Sequence, residues 1–202
     1  MIRLLKLLKK LPNLLKEIRK SLNKNKFDTV NIYCQDESRF GLITKQKRVL
    51  TIKGVKPIGK YKHSYKYFWL WGSFSPITGD AHYMISDGVS KAAFLAYLDD
   101  LSQYKPRELK IIIIDNAAFH STKDIILPEN IILIPIPPYS PELNPAEKMW
   151  QYFKDKIAMK IYKSLNELEM KITELLSEIS KEETKSITSY EYLIKHYNSI
   201  FN

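Results

Sequence analysis

The sequence predicts an α/β fold: a mixed sheet flanked by helices, with a basic helix before it and further helices after it. Three observations carry this. Val30–Asp36 alternates apolar and polar residues as a half-buried strand does. Ile111–Ile114 and Ile131–Ile136 are short continuous apolar runs, the pattern of central strands covered on both faces. Between and after them lie stretches whose apolar residues recur at spacings of three and four, the helical period.

Taken in order, residues 1–26 read as a basic helical linker. Apolar residues at 4, 7/8, 11, 14/15, 18 and 22 form one stripe with lysines opposite, and Pro12 is expected to break it in two. In the strand Val30–Asp36, residues 30, 32, 34 and 36 share a face. The aspartate therefore emerges on the apolar side, where a carboxylate is costly without a partner. Arg48–Lys53 reads as a short hairpin arm ending at Gly54. Tyr67–Phe74 and Ala81–Ser86 flank Ser75-Pro-Ile-Thr-Gly-Asp80, whose proline and glycine signal a turn between antiparallel strands.

Ser90 is the expected N-cap of a helix to about Gln103, with Phe94, Leu98 and Leu101 inward. Lys110–Asp115 and Ile131–Ile136 are strands, joined through a short helix. Asn144-Pro145 opens a helix to about Lys160, Ser164-Leu-Asn-Glu167 is a capping box opening the next, and one further helix runs to about residue 200. Tight turns make the first three strands antiparallel, and the helix before the fourth makes that strand parallel to the first. The ends of strands one and four then lie side by side and bring Asp36 to Asp115. Open α/β sheets carry their sites at such strand ends.

Composition narrows the class. At 202 residues, 45% hydrophobic and 27% charged, the chain is one globular domain with appendages. The single cysteine, Cys34, excludes an internal disulfide framework and fits a reducing compartment, and with four histidines it offers no zinc-type cluster. Lysines interrupt the N-terminal leucines before a signal sequence can form, and no apolar run is long enough to span a membrane. The expectation is a soluble cytoplasmic protein. Of the net charge of +10, residues 1–26 hold nine Lys/Arg against one acid, Glu17. Residues 38–79 hold no acid but contain Arg39, Lys45, Lys47, Arg48, Lys60 and Lys62 among their bases. A charge run alone usually marks a solvated face. Here Tyr61, His63, Tyr65 and Tyr67 interleave with the lysines, as on surfaces that bind polyanions.

The densest motif is Pro137-Pro-Tyr-Ser-Pro-Glu-Leu-Asn-Pro-Ala-Glu147, running into Lys148-Met-Trp150. It is a rigid approach that delivers one carboxylate at a helix start. Asn144, Pro145, Ala146 and Glu147 also fit N-cap to N3, so Glu147 could simply complete a capping box. Asp115 before Asn116 is an ordinary way to leave a strand, and Glu37 points away from Asp36. Asp80, Asp87, Asp99, Asp100 and Glu142 read as turn or surface acids. His120, in the loop after Asp115, is either a structural histidine or one that reaches a phosphate.

Asp115-Asn-Ala-Ala-Phe-His120 together with the proline-rich motif resembles the DDE transposases of the insertion sequence 630 family, in the wider Tc/mariner superfamily. Gln35-Asp36-Glu37-Ser38 resembles the first acidic motif of that family. The 31 residues at positions 116–146 match its usual acidic spacing. The resemblance runs from about residue 27 to 180, and Pro138, Tyr139, Ser140, Pro141, Asn144, Pro145 and Trp150 belong to its most specific motif.

It implies a ribonuclease-H-like fold across residues 27–202. It also implies that Asp36, Asp115 and Glu147 bind two Mg2+ ions (Mn2+ substituting), so that three carboxylates serve both catalysis and metal binding. Arg39, Lys45, Lys47, Arg48, Lys60, Lys62, Asn116 and His120 are the candidate DNA contacts. The partners implied are double-stranded DNA, as transposon ends and target, and a second copy of the chain. Members usually carry N-terminal helix-turn-helix domains, for which the 26 residues before the first strand are too few, so end recognition is expected in trans. A nuclease on the same scaffold that never joins strands, and a DNA-binding fragment that inhibits transposition, remain as alternatives. The expected setting is the nucleoid.

Overall fold

The alternation of the first strand does not stop at Asp36. Ser38 and Phe40 keep the same face buried, and β1 runs through Thr29–Gly41. With β2 (Tyr67–Phe74), β3 (Ala81–Ser86), β4 (Glu108–Ile114) and β5 (Ile131–Pro135) it forms a five-stranded sheet of order β3-β2-β1-β4-β5. The structure, a computed structural model, describes residues 2–201 except 24, 47, 49, 57 and 118–125, with side chains from residue 10 onward.

β1 exchanges neighbours along its length. It pairs in parallel with β4 from Thr29–Glu108 to Cys34–Ile113 and antiparallel with β2 from Cys34–Phe74 to Gly41–Tyr67. β2 and β3 are antiparallel, and β4 and β5 parallel, as the turn and crossover lengths predict. Asp36 therefore lies in mid-strand, not at a strand end. It sits where β1's parallel neighbour has run out.

Each face of the sheet has its own core. Ile32, Cys34, Ile111 and Ile113 meet apolar residues of α1 (Ile2–Ser21), α3 (Ala146–Ile157), α4 (Leu165–Glu178) and α6 (Glu191–Phe201). Tyr33, Trp71, Ile112 and Ile114 meet Phe94, Tyr97, Leu98 and Leu101 of α2 (Lys91–Gln103), whose N-cap is Ser90 as expected. The fold is a ribonuclease-H-like mixed sheet flanked by helices. No helix among the described residues is long and apolar enough to cross a membrane.

Several local expectations give way to tertiary context. Pro12 sits inside α1 without ending it. Leu11, Leu15 and Ile18 are buried in the main core, and Arg19 donates to Ile200 O on α6, which offsets the one helix hydrogen bond a proline removes. The described part of 48–53 forms no hairpin arm; a turn closes instead at Gly54 (φ +88°), with Val55 N–H on Ile52 O at 2.9 Å. The segment after Ile179 is two helices, α5 (Lys181–Thr188) and α6. The Ser180–Glu183 capping box that starts α5 is complete. At α4, Ser164 accepts from Glu167 N–H, but the Glu167 carboxylate takes Lys163 N–H instead of the cap's own. The short helix expected between β4 and β5 falls on residues 118–125, outside the described residues.

Asp80 is no surface acid. It is buried, bonded to Lys105 and Thr78, with Lys181 Nζ 2.8 Å from Oδ1. Burial alone would raise its pKa; the two ammonium groups and the Thr78 hydroxyl outweigh that and hold it at about 2. Gly79 (φ +76°) makes this turn, because a Cβ there would stand 2.2 Å from Lys181 O.

Candidate active site

The register of the sheet juxtaposes the first two carboxylates. β1 and β4 last pair at Cys34–Ile113, and two residues further on each strand stand Asp36 and Asp115. Neighbouring strands are about 4.8 Å apart, so the two acids begin from adjacent backbones. Asp36 faces α3, where Trp150 reaches it. Asp115 Oδ1 accepts from Ala117 N–H at 2.9 Å, which turns the chain away from the sheet.

The third carboxylate is brought in by the proline-rich segment. Ser140 and Leu143–Ala146 are buried, whereas Pro138 and Tyr139 are exposed, the latter in a left-handed conformation (φ +54°). Pro141–Leu143 form a 3-10 turn. Asn144 then performs two tasks: its Nδ2 donates to Gln35 O on β1 at 2.8 Å, and its Oδ1 accepts from Ala146 N–H at 3.2 Å. The first bond ties the start of α3 to the strand that carries Asp36. The second braces the entry to the helix, whose N-cap Pro145 is already in helical geometry (φ −58°, ψ −23°). Asn144 N–H is taken by Pro141 O, so no capping box consumes Glu147. Glu147 is exposed on the first turn of α3.

Trp150, one turn further along, completes the approach. Its indole Nε1 donates to Asp36 Oδ2 at 2.9 Å, and its ring packs edge-on against Phe40 and Phe74. Gly72 makes the room. It lies opposite Asp36 on β2, and a Cβ there would come within 2.6 Å of the Trp150 ring.

Asp36 is pushed up to about 8, first by burial and then by the charges of Glu147 and Glu37. Hydrogen bonds from Glu37 N–H and from Trp150 act in the other direction without cancelling it. Glu37, on the far face as expected, accepts from Gln35 Nε2 at 2.7 Å.

Among the described residues no three acidic, histidine or cysteine side chains enclose a metal position by themselves. The donor chemistry nevertheless fits Mg2+ or Mn2+. The donors are all carboxylate oxygens, and Mg2+ takes few protein ligands and fills its shell with water and phosphate. Burial and the charges of Glu147 and Glu37 act against ionisation of Asp36, and a divalent cation would relieve that repulsion.

The predicted contacts separate into groups. Arg39 and Lys45 line a cavity of about 250 Å³ on the α3 side of β1. Lys60 and Arg48 are exposed. Lys62 is engaged within the fold, its Nζ donating to Tyr162 O and Lys163 O at 2.7 and 2.8 Å. Asn116 Nδ2 donates to Ile136 O and ties the loop after β4 to the end of β5. Lys47 and His120 lie outside the described residues.

Sequence reasoning missed Lys154. Seven residues after Glu147 on the same face of α3, it lies over the Phe40 ring (5.7 Å) and lines the same cavity as Arg39 and Lys45. Burial, then Lys45 and Arg39, lower its pKa, while Glu147 and Asp36 act to raise it. The signal was present as the spacing of Glu147, Trp150 and Lys154 at 0, 3 and 7, which is one helical stripe.

Known proteins share this fold. The Mos1 transposase chain in its strand transfer complex superposes with a TM-score of 0.65 at 16% identity, over 95% of this chain and 58% of that one. The mariner Mos1 paired-end complex with Mg gives 0.68 at 16%, over 98% and 61%. An uncharacterized protein of Sinorhizobium fredii (y4pE/y4sA) is 39% identical over 59 residues, 29% of this chain and 44% of its own length. The chain thus spans about half the length of these relatives. The family model described as DDE superfamily endonuclease matches residues 31–169, which hold all three carboxylates, and the chain belongs to that family.

Proposed function

We propose that this chain is the catalytic domain of a DNA transposase, cutting and joining strands at transposon ends. What supports the reading is the sheet register, which sets Asp36 two residues past the last β1–β4 pair, as it does Asp115 on β4, together with the charge of Glu147 felt at Asp36. Arg39, Lys45 and Lys154 line a cavity whose Lys154 feels both Glu147 and Asp36. Two divalent ions held by the three carboxylates would activate the attacking oxygen and stabilise the leaving one in an in-line displacement. The chain's own groups do the rest. Trp150 fixes the Asp36 carboxyl, Asn144 holds α3 to β1, and the three cations draw the phosphate backbone to the carboxylates.

Double-stranded DNA is the substrate in this reading, and the chain works as a homodimer on paired ends. A helix-turn-helix protein or domain acting in trans recognises those ends. The setting is the nucleoid.

The test is nicking of supercoiled plasmid in Mn2+, with Asp115→Asn and Glu147→Gln beside the wild type. Nicking by wild type alone is expected. Equal nicking by all three would remove the carboxylates from the chemistry. Incubation with a pre-cut 3′-hydroxyl oligonucleotide then separates the transferase, which yields joined product, from a nuclease, which does not.

A further inference from the structure

Between β1 and β2 the chain makes a long excursion, and its returning limb carries aromatic rings at 61, 63, 65 and 67. That limb runs back beside β1, with Leu42 N–H on Lys66 O and Thr44 N–H on Lys62 O. Tyr65 and Tyr67 are 73% and 44% exposed, which is unusual for large rings beside a well-filled core. They are also held in place. His63 packs edge-on against Tyr65 at 4.8 Å and bonds its hydroxyl at 2.7 Å, and the Arg39 guanidinium lies over the Tyr67 ring at 5.0 Å.

The two rings line a cleft of about 340 Å³ whose other walls include Arg39, Ile43, Lys45 and Lys66. No acid lines it. Tyr67 opens β2 and Tyr65 lies two residues before it. In a regular strand, side chains two apart stand about 6.6 Å from one another. That is about twice the stacking distance of nucleic-acid bases, so a single base fits between two such rings. A paired base is already stacked on its neighbours and cannot enter.

We infer that this cleft is a binding site for one unpaired nucleotide of the DNA, its base stacked on Tyr65 and Tyr67 and its phosphate met by Arg39, Lys45 and Lys66. Aromatic platforms beside cations bind single-stranded nucleic acid in this way. The cleft shares Arg39, Gly41, Ile43 and Lys45 with the cavity that holds Lys154, so a strand anchored there reaches it across the end of β1. The inference rests on the DNA-processing reading above and adds a specificity to it: a preference for DNA that is locally open.

The experiment is fluorescence anisotropy on the full chain, with a 20-base-pair duplex and the same duplex carrying one extra unpaired nucleotide. Wild type is expected to prefer the second by about fivefold to a hundredfold, the range base–aromatic stacking supplies. Tyr65→Ala with Tyr67→Ala should abolish the preference while leaving affinity for the plain duplex within about twofold. Tyr65→Phe with Tyr67→Phe keeps the rings and should keep the preference. Equal affinity of wild type for both duplexes, or a preference that survives the alanine pair, overturns the inference and leaves the DNA reading standing. Binding to neither duplex overturns both.

Discussion

A carboxylate on the apolar side of a strand persists only if something answers its charge, and at Asp36 nothing within the chain does so fully. Its pKa of about 8 in the folded chain compares with 3.8 for the unperturbed group. Below pH 4 both folded and unfolded chains hold the proton. Between about 4 and 8 only the folded chain does, so stability falls as pH rises through that window, by up to about 1.4 kcal/mol per unit. Above about 8 the dependence ends. Metal-free protein should therefore lose unfolding free energy as pH rises from 5 to 8 in urea titrations. Asp36→Asn should flatten that curve and exceed the wild type in stability at pH 8. Parallel curves for the two proteins would mean that Asp36 titrates normally. Because a bound Mg2+ requires the ionised carboxylate, its apparent affinity should climb with pH to about 8 and then level off.

At the scale of elements, the site depends on how closely α3 approaches the sheet. Gly72 is the contact that sets the distance, and Gly72→Ala forces the Trp150 ring off Asp36. The expected results are a loss of about 1–3 kcal/mol from overpacking and a collapse of Mn2+-dependent nicking. Trp150→Phe is the companion: it keeps the aromatic cluster, removes only the indole donor, and should reduce nicking far more than stability. Unaltered nicking in both variants would make the Trp150–Asp36 bond incidental. How this architecture was encoded is instructive. The alternation of Val30–Cys34 and the isoleucine run 111–114 declare two neighbouring strands, and the helix between them declares their parallel sense. The partner exchange of β1 is not declared, because Ser38 and Arg39 look like the start of a loop until β2 is laid beside them. The intact α1 is equally hidden, since Pro12 is tolerated only through packing on α6. Asp36, Asp115 and Glu147 were singled out from an expected strand end and from motif, yet Asp36 stands in mid-strand because β1 runs on to Gly41. Lys154 was not, because its meaning comes from the Phe40 ring beneath it, and Lys62 looked like a surface cation until the 162–163 carbonyls were seen to hold it.

Across the whole molecule, charge is arranged around the carboxylates and not spread evenly. Arg39, Lys45 and Lys154 line one cavity, and the charges of Glu147 and Asp36 act on Lys154. Each phosphate contact contributes about 0.9 to the slope of log affinity against log salt. Replacing Lys154 with glutamine should lower that slope by about one contact and reduce cleavage more than binding. An unchanged slope would place the backbone elsewhere. A different consequence follows from what fastens the start of α3. Leu143 O accepts from Tyr192 on α6 at 2.6 Å, and Gln35 O is reached by Asn144 from more than a hundred residues downstream. Bonds between such distant residues close late in folding. On the ribosome, the strand bearing Asp36 exists long before the helix that steadies Glu147 has been made. The nascent chain therefore lacks the Leu143–Tyr192 tie until Tyr192 has been made, and the start of α3 is fastened to α6 only as that helix is completed.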